Sequence, residues 1–112
     1  MFRFFAATLL MCCLAIATAR AEEKQVEFAR EVRPILESSC WKCHGPEKQK
    51  GGLRLDRREG GMRPADSGKK AVVPGKTDES ELIRRVESAD ASERMPAEAE
   101  PLSREQIAFL RN

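Results

Sequence analysis

Two cysteines and a histidine stand together in Cys40-Trp41-Lys42-Cys43-His44. The pattern is C-x-x-C-H, the spacing that attaches a c-type haem. The chemistry accounts for the spacing. Two thiols add to the two vinyl groups on one edge of the haem, and two intervening residues set the sulfurs the right distance apart. The histidine that follows turns its imidazole under the iron as proximal ligand. His44 is the only histidine in the chain. The other two cysteines, Cys12 and Cys13, lie in an N-terminal segment that reads as removable.

Three other uses of these residues compete with haem attachment. A disulfide between Cys40 and Cys43 closes a very small loop and stabilises little. A thioredoxin-like redox pair needs a βαβ setting, and no hydrophobic strand run precedes Cys40. A zinc site would have two cysteines and one histidine, with no fourth Cys or His to complete it. Attachment of a single covalent haem uses all three residues.

The sixth iron position must be filled from elsewhere. One histidine excludes bis-histidine ligation within the chain, which leaves the thioethers of Met62 and Met95. Met95 lies in Arg94-Met95-Pro96, 51 positions after His44, where Pro96 stiffens a loop just before the last helix. Met62 lies 18 positions after His44, between Gly60-Gly61 and Arg63-Pro64, on a looser segment. Met95 is the expected distal ligand; Met62, or an open or lysine-filled position, is the alternative. A methionine can also serve only as core filler. A neutral thioether favours ferrous iron and raises the potential. The expected activity is therefore outer-sphere one-electron transfer by a carrier, not bond-making catalysis. With the single histidine assigned, no Ser/His/Asp set can form. Arg54, Arg57, Arg58, Arg84 and Arg94 are candidates to pair the haem carboxylates.

The segment from Met1 to Ala21 carries no acid and two arginines, Arg3 and Arg20, around an almost wholly apolar run from Phe4 to Ala17. These are the regions of a secretory signal, and Ala19-Arg20-Ala21 fits a small-x-small cleavage site. The run is too short to span a bilayer, which takes about 20 residues. An uncleaved anchor is the alternative, and Met11 ahead of Cys12 argues against lipidation. The expected product is exported, periplasmic or otherwise extracytoplasmic, with no membrane span in the mature chain. That compartment is also where C-x-x-C-H motifs receive haem.

Cleavage after Ala21 would leave residues 22–112 of the 112, room for one small domain. Losing Arg3 and Arg20 from the 20 basic residues leaves 18 against 18 acids, so the net charge of +2 falls to zero. No basic excess remains to suggest a nucleic-acid partner. Only 19 residues after Ala21 are Val, Ile, Leu, Met, Phe or Trp, which places the chain near the border of disorder. A domain so small and polar needs a disulfide, a metal or a cofactor to complete its interior.

Three helices and a long loop are expected to position these groups. Phe28, Val32, Ile35 and Leu36 repeat at helical spacing and lead into the haem motif. Pro34 implies either a kink or a first turn at Arg33-Pro34. From Gly45 to Thr77 the sequence is rich in Gly, Pro, Lys and Arg. It reads as loop, with a short extended piece at Leu53-Arg54-Leu55. Residues 57–70 either wrap a haem edge or are disordered. A second helix is expected over about residues 78–88, opened by an Asp78/Glu81 capping box. A third starts at Ser103, with a Ser103/Gln106 capping box and a Leu102/Ile107 staple.

The run from Phe28 to Pro46 resembles the planctomycete-type cytochrome c domain. The resemblance continues through Lys50-Gly51-Gly52-Leu53-Arg54-Leu55-Asp56, Val73-Pro74-Gly75, Ser80 to Arg85, Arg94-Met95-Pro96 and Leu102-Ser103. It spans about residues 28 to 110, with several motifs in order. It implies a mainly α, small cytochrome c-like fold around a covalently attached haem. Cys40 and Cys43 would be the thioether residues, His44 the proximal ligand and Met95 the distal one. Family domains usually continue the last helix into a Trp-containing turn, often followed by larger domains. This sequence stops at Arg111-Asn112 and reads either as a stand-alone product or as a fragment, in which case it would be a haem module of a larger protein. A redox partner protein is expected, and its identity is not readable.

Overall fold

The computed structural model describes residues 25–112; the expected signal segment, 1–21, lies outside the described residues. Within them the chain forms four α-helices and no strand: α1 Arg33–Ser39, α2 Arg58–Met62, α3 Glu81–Glu87 and α4 Arg104–Arg111. The mainly helical class is as expected, and α2 is an addition to the three helices read from sequence.

Pro34 does both things foreseen for it. It is the second residue of α1, where an N–H would have no intrahelical partner. It also cannot donate to the carbonyl four residues back. The preceding turn, Phe28–Val32, opens accordingly into a π-helical turn in which the Arg33 N–H bonds to the Phe28 carbonyl. Ile35 and Leu36 of α1 are buried.

The start of α3 departs from expectation. Asp78 and Glu81 form no capping box: Asp78 lies in a 3₁₀ turn, Thr77–Glu79, and the N-cap is Ser80, whose side chain caps nothing in the helix. Its hydroxyl is committed to the loop behind it, accepting from the Val73 N–H at 2.9 Å and donating to the Lys76 carbonyl at 2.9 Å. Ser80 is the one buried polar residue of the described core. Ser80→Ala strands the Val73 donor and should cost about 1–3 kcal/mol. The check is thermal unfolding, where each kcal/mol lowers Tm by roughly 4–8 °C in a domain this size. An unchanged Tm would mean the loop holds without it.

Glu81 instead ties the helix to its surroundings. Its carboxylate takes Arg84 at 2.6 Å and Arg85 at 3.0 Å, with Lys69 at 3.8 Å. The Arg84 hydrogen bonds chiefly hold its carboxyl down to about 2.

The 57–70 stretch is built rather than loose. α2 occupies Arg58–Met62, and the Asp66 N–H bonds to the Gly51 carbonyl while the Val72 N–H bonds to the Gly61 carbonyl. The Gly60-Gly61 pair signals close approach, not flexibility. A Cβ on Gly60 would stand 2.4 Å from the Arg54 carbonyl oxygen, so α2 lies on the Leu53–Leu55 segment only because no side chain intervenes.

α4 begins as the sequence requires. Ser103 accepts from the Gln106 N–H and Gln106 returns a bond to the Ser103 N–H, a complete capping box. α4 packs on α3 and on the Phe28–Val32 turn. The resulting core is Ile35, Val86 and Leu102, with Met95, Ile107, Phe109 and Leu110 against it. Among the described residues no large side chain is fully enclosed. The scarcity of apolar residues in the sequence thus appears as a thin interior.

Candidate functional site

The C-x-x-C-H segment follows α1 as a hydrogen-bonded turn, the chain leaving helical geometry at Cys40. The Cys40 and Trp41 N–H groups both bond to the Leu36 carbonyl, and the Cys43 and His44 N–H groups to the Cys40 carbonyl. Cys40, Cys43 and His44 therefore stand at i, i+3 and i+4 of one turn, closed on the Cys40 carbonyl. The chain then reverses at once. The Gly45 N–H bonds to Lys48, and a Cβ on Gly45 would sit 2.3 Å from the Trp41 carbonyl oxygen. Only glycine permits this turn directly after the motif.

The histidine ring is oriented by the loop that follows. His44 Nδ1 lies 3.0 Å from the Lys50 carbonyl. A carbonyl can only accept, so Nδ1 carries the proton and Nε2 keeps its lone pair. Desolvation, the larger effect, lowers the imidazole's pKa against the raising effect of its backbone hydrogen bonds. The ring is held neutral, in the tautomer that ligates through Nε2, with its second nitrogen on a backbone carbonyl in the manner of metal-bound histidines.

Both cysteines are free thiols. Burial pushes the Cys40 thiol up to about 11. A thiol-disulfide oxidoreductase needs the opposite shift, towards a thiolate at neutral pH. No cluster of three or more His, Cys, Asp or Glu able to hold a metal forms among the described residues.

A mostly apolar cavity of about 570 Å³ lies beside the motif, within the roughly 300–1,000 Å³ of small-molecule sites. Leu36 and Trp41 bring the end of α1 into its wall, α2 brings Met62, α3 brings Leu82, and α4 brings Phe109 and Leu110. Arg33, Arg57 and Arg58 add positive charge. Trp41 Nε1 is buried without a hydrogen-bond partner, an arrangement that costs about 1–3 kcal/mol until an acceptor arrives.

The sequence-derived site residues divide into two groups. Cys40, Cys43 and His44 lie in one hydrogen-bonded turn; none of the three lines the cavity, whose wall begins with their neighbour Trp41. Met95 stands apart from that wall: it packs against Ile35, Val86 and Leu102, and its N–H donates to the Arg85 carbonyl at 3.1 Å. The methionine in the wall is Met62. In the sequence Trp41 reads only as a spacer and Met62 as part of a loose loop. The usable signal for Met62 is the Gly60-Gly61 pair beside it, taken as a packing contact.

The sequence model of the family described as Planctomycete cytochrome C matches residues 40–98, just over half of the chain. The chain belongs to this family. No curated protein and no solved structure matches it. The matched range opens on Cys40 and takes in the whole attachment turn, α2, α3 and Met95-Pro96. The helical architecture is accordingly that of a small cytochrome c, and membership carries haem binding and electron transfer as general properties. The residues present fit the cofactor. Two free thiols are one turn apart, an imidazole is fixed through Nδ1, and an apolar cavity with arginines in its wall reaches the motif at Trp41. No helix of this cytochrome, among the described residues, is long and apolar enough to cross a membrane.

Proposed function

We propose that the chain is an exported one-electron carrier with a single haem held covalently by Cys40 and Cys43 and ligated by His44 and Met95. The observation that carries the reading is the His44 Nδ1–Lys50 carbonyl hydrogen bond. It leaves Nε2 as a neutral donor at the end of a motif whose only common chemistry is haem attachment. Bound there, the haem supplies an iron that takes up and releases one electron without making or breaking substrate bonds.

The protein's own part is positional. Lys50 fixes the imidazole plane, so His44 need not reorient between oxidation states. The apolar walls from α1, α3 and α4 keep water from the metal. The Arg85 carbonyl anchors the Met95 backbone beside α3. Its thioether has three rotatable bonds and can turn from the Ile35–Val86–Leu102 cluster towards an iron. One observation favours a second assignment of the distal ligand: Met62, not Met95, lines the cavity.

The test is expression of the full chain, with its own N-terminal segment, in a host carrying a c-type maturation system. Haem that stays on the polypeptide after denaturation, in a one-to-one ratio and in the extracytoplasmic fraction, is expected. A soluble, folded protein with two titratable thiols and no haem would overturn the reading and favour thiol-disulfide exchange.

A further inference from the structure

Among the five arginines open to pairing with the haem carboxylates, the structure separates two from the rest. Arg54 is spent in a two-point fork on Asp56, its Nε 2.9 Å from Oδ1. Arg84 is spent on Glu81 and Glu93, at 2.6 and 2.8 Å. Arg94 lines a different groove, between α3 and α4, beside Arg104 and Arg111. Arg57 and Arg58 both line the cavity that reaches the attachment turn at Trp41, and neither guanidinium is held in a hydrogen bond or a close salt bridge among the described residues, although Arg57 adds to the positive charge that lowers the Asp56 carboxyl. Each can present its fork of donors to a carboxylate without breaking an existing hydrogen bond.

Their place in the chain keeps both within reach of a ring attached at that turn. The Leu55 N–H is fixed to the His44 carbonyl at 2.8 Å. At no more than about 3.3–3.6 Å per residue, Arg57 and Arg58 start within roughly 7 and 11 Å of that anchor, and their long side chains extend the reach. That is the scale of a porphyrin, whose carboxylates lie on the half opposite its thioether edge. We infer that Arg57 and Arg58 bind the two carboxylates of the haem. The inference rests on the haem reading above and assigns the polar end of that same site.

The charges around those carboxylates are few. Arg33 faces the cavity from α1, over the Trp41 ring at 5.8 Å. Asp56 also lines it, and its negative charge is met by the Arg54 fork. α3 and α4 contribute Leu82, Phe109 and Leu110, all uncharged, and Asn112 lines the cavity just past α4.

The experiment is the midpoint potential of the haem-loaded full chain as a function of pH. An ionised haem carboxylate favours ferric iron, so the potential falls as pH rises through its ionisation. With Arg57 and Arg58 in place that fall belongs at low pH. In the pair Arg57→Gln with Arg58→Gln it should move up by about one unit or more, since a close opposite charge lowers a carboxylate by about 1–3 units. Arg57→Lys with Arg58→Lys should return most of the way, and Arg94→Gln should leave the profile in place. An unchanged profile in the Gln pair, with haem content unchanged, would overturn the assignment. If the Gln pair loads no haem, the single Gln variants and the Lys pair are read by the same criterion. Absence of haem from the wild-type chain would overturn the haem reading itself, a distinct result.

Discussion

Cys40→Ser combined with Cys43→Ser is expected to leave a polypeptide with no haem after denaturation, a complete loss against the parent chain. The two thiols are free and lie one turn apart beside His44, so removing both would delete both proposed thioether bonds and little else. The structural cost of the substitutions themselves is small, because neither cysteine belongs to the Ile35–Val86–Leu102 core. Any large fall in Tm relative to the loaded parent then measures the cofactor's contribution to the fold. A single substitution should give an intermediate result, with one thioether remaining and haem yield reduced. If the double variant keeps the parent's Tm and the parent carries no haem, the cysteines serve another purpose. The raised pKa of Cys40 makes thiolate chemistry a poor second choice.

Met95→Leu is expected to abolish the thioether–iron charge-transfer band and to lower the midpoint potential. The scale of that fall is on the order of a tenth or more of the roughly 0.8 V that axial ligands span. Met62→Leu is expected to leave both in place. The paired design is needed because packing makes a rival prediction. Met95 rests on Ile35, Val86 and Leu102, and Met62 lines the cavity. If Met95 were only packing, its change to Leu conserves volume, costs less than about 1.5 kcal/mol and leaves the spectrum untouched. Loss of the band in Met62→Leu, with retention in Met95→Leu, would transfer the sixth position to α2. Thermal melts of both variants separate ligand loss from core disturbance.

Features written in adjacent residues are legible from the amino-acid sequence. The attachment turn is five consecutive residues, and its chemistry depends on their spacing alone. The α4 cap is equally local, because Ser103 and Gln106 satisfy each other across one turn. The start of α3 has the same local look and a different cause. Asp78 and Glu81 have the right spacing for a cap, but Ser80 bonds across seven residues to Val73, and that bond sets where the helix begins. α2 escapes a reading of the sequence for the same kind of reason. Gly60 and Gly61 resemble a flexible link, yet the Arg54 carbonyl lies 2.4 Å from where a side chain on Gly60 would start. The arginines show the limit most clearly. Five are equivalent in sequence, and only their surroundings in space (Asp56 for Arg54, Glu81 and Glu93 for Arg84, a separate groove for Arg94) distinguish them from Arg57 and Arg58.

The thin interior has a consequence for the life of the molecule in the cell. Proteases act on chains that open, and the fraction open is set by the free energy between the closed and open forms. In a domain where, among the described residues, no large side chain is wholly enclosed, that gap would stay small until a large apolar group filled the cavity. A covalent group cannot be lost again by dilution. With the proposed covalent attachment, loading would act as a one-way checkpoint on abundance: chains that missed it would be cleared by turnover, and the surviving population would be the functional one.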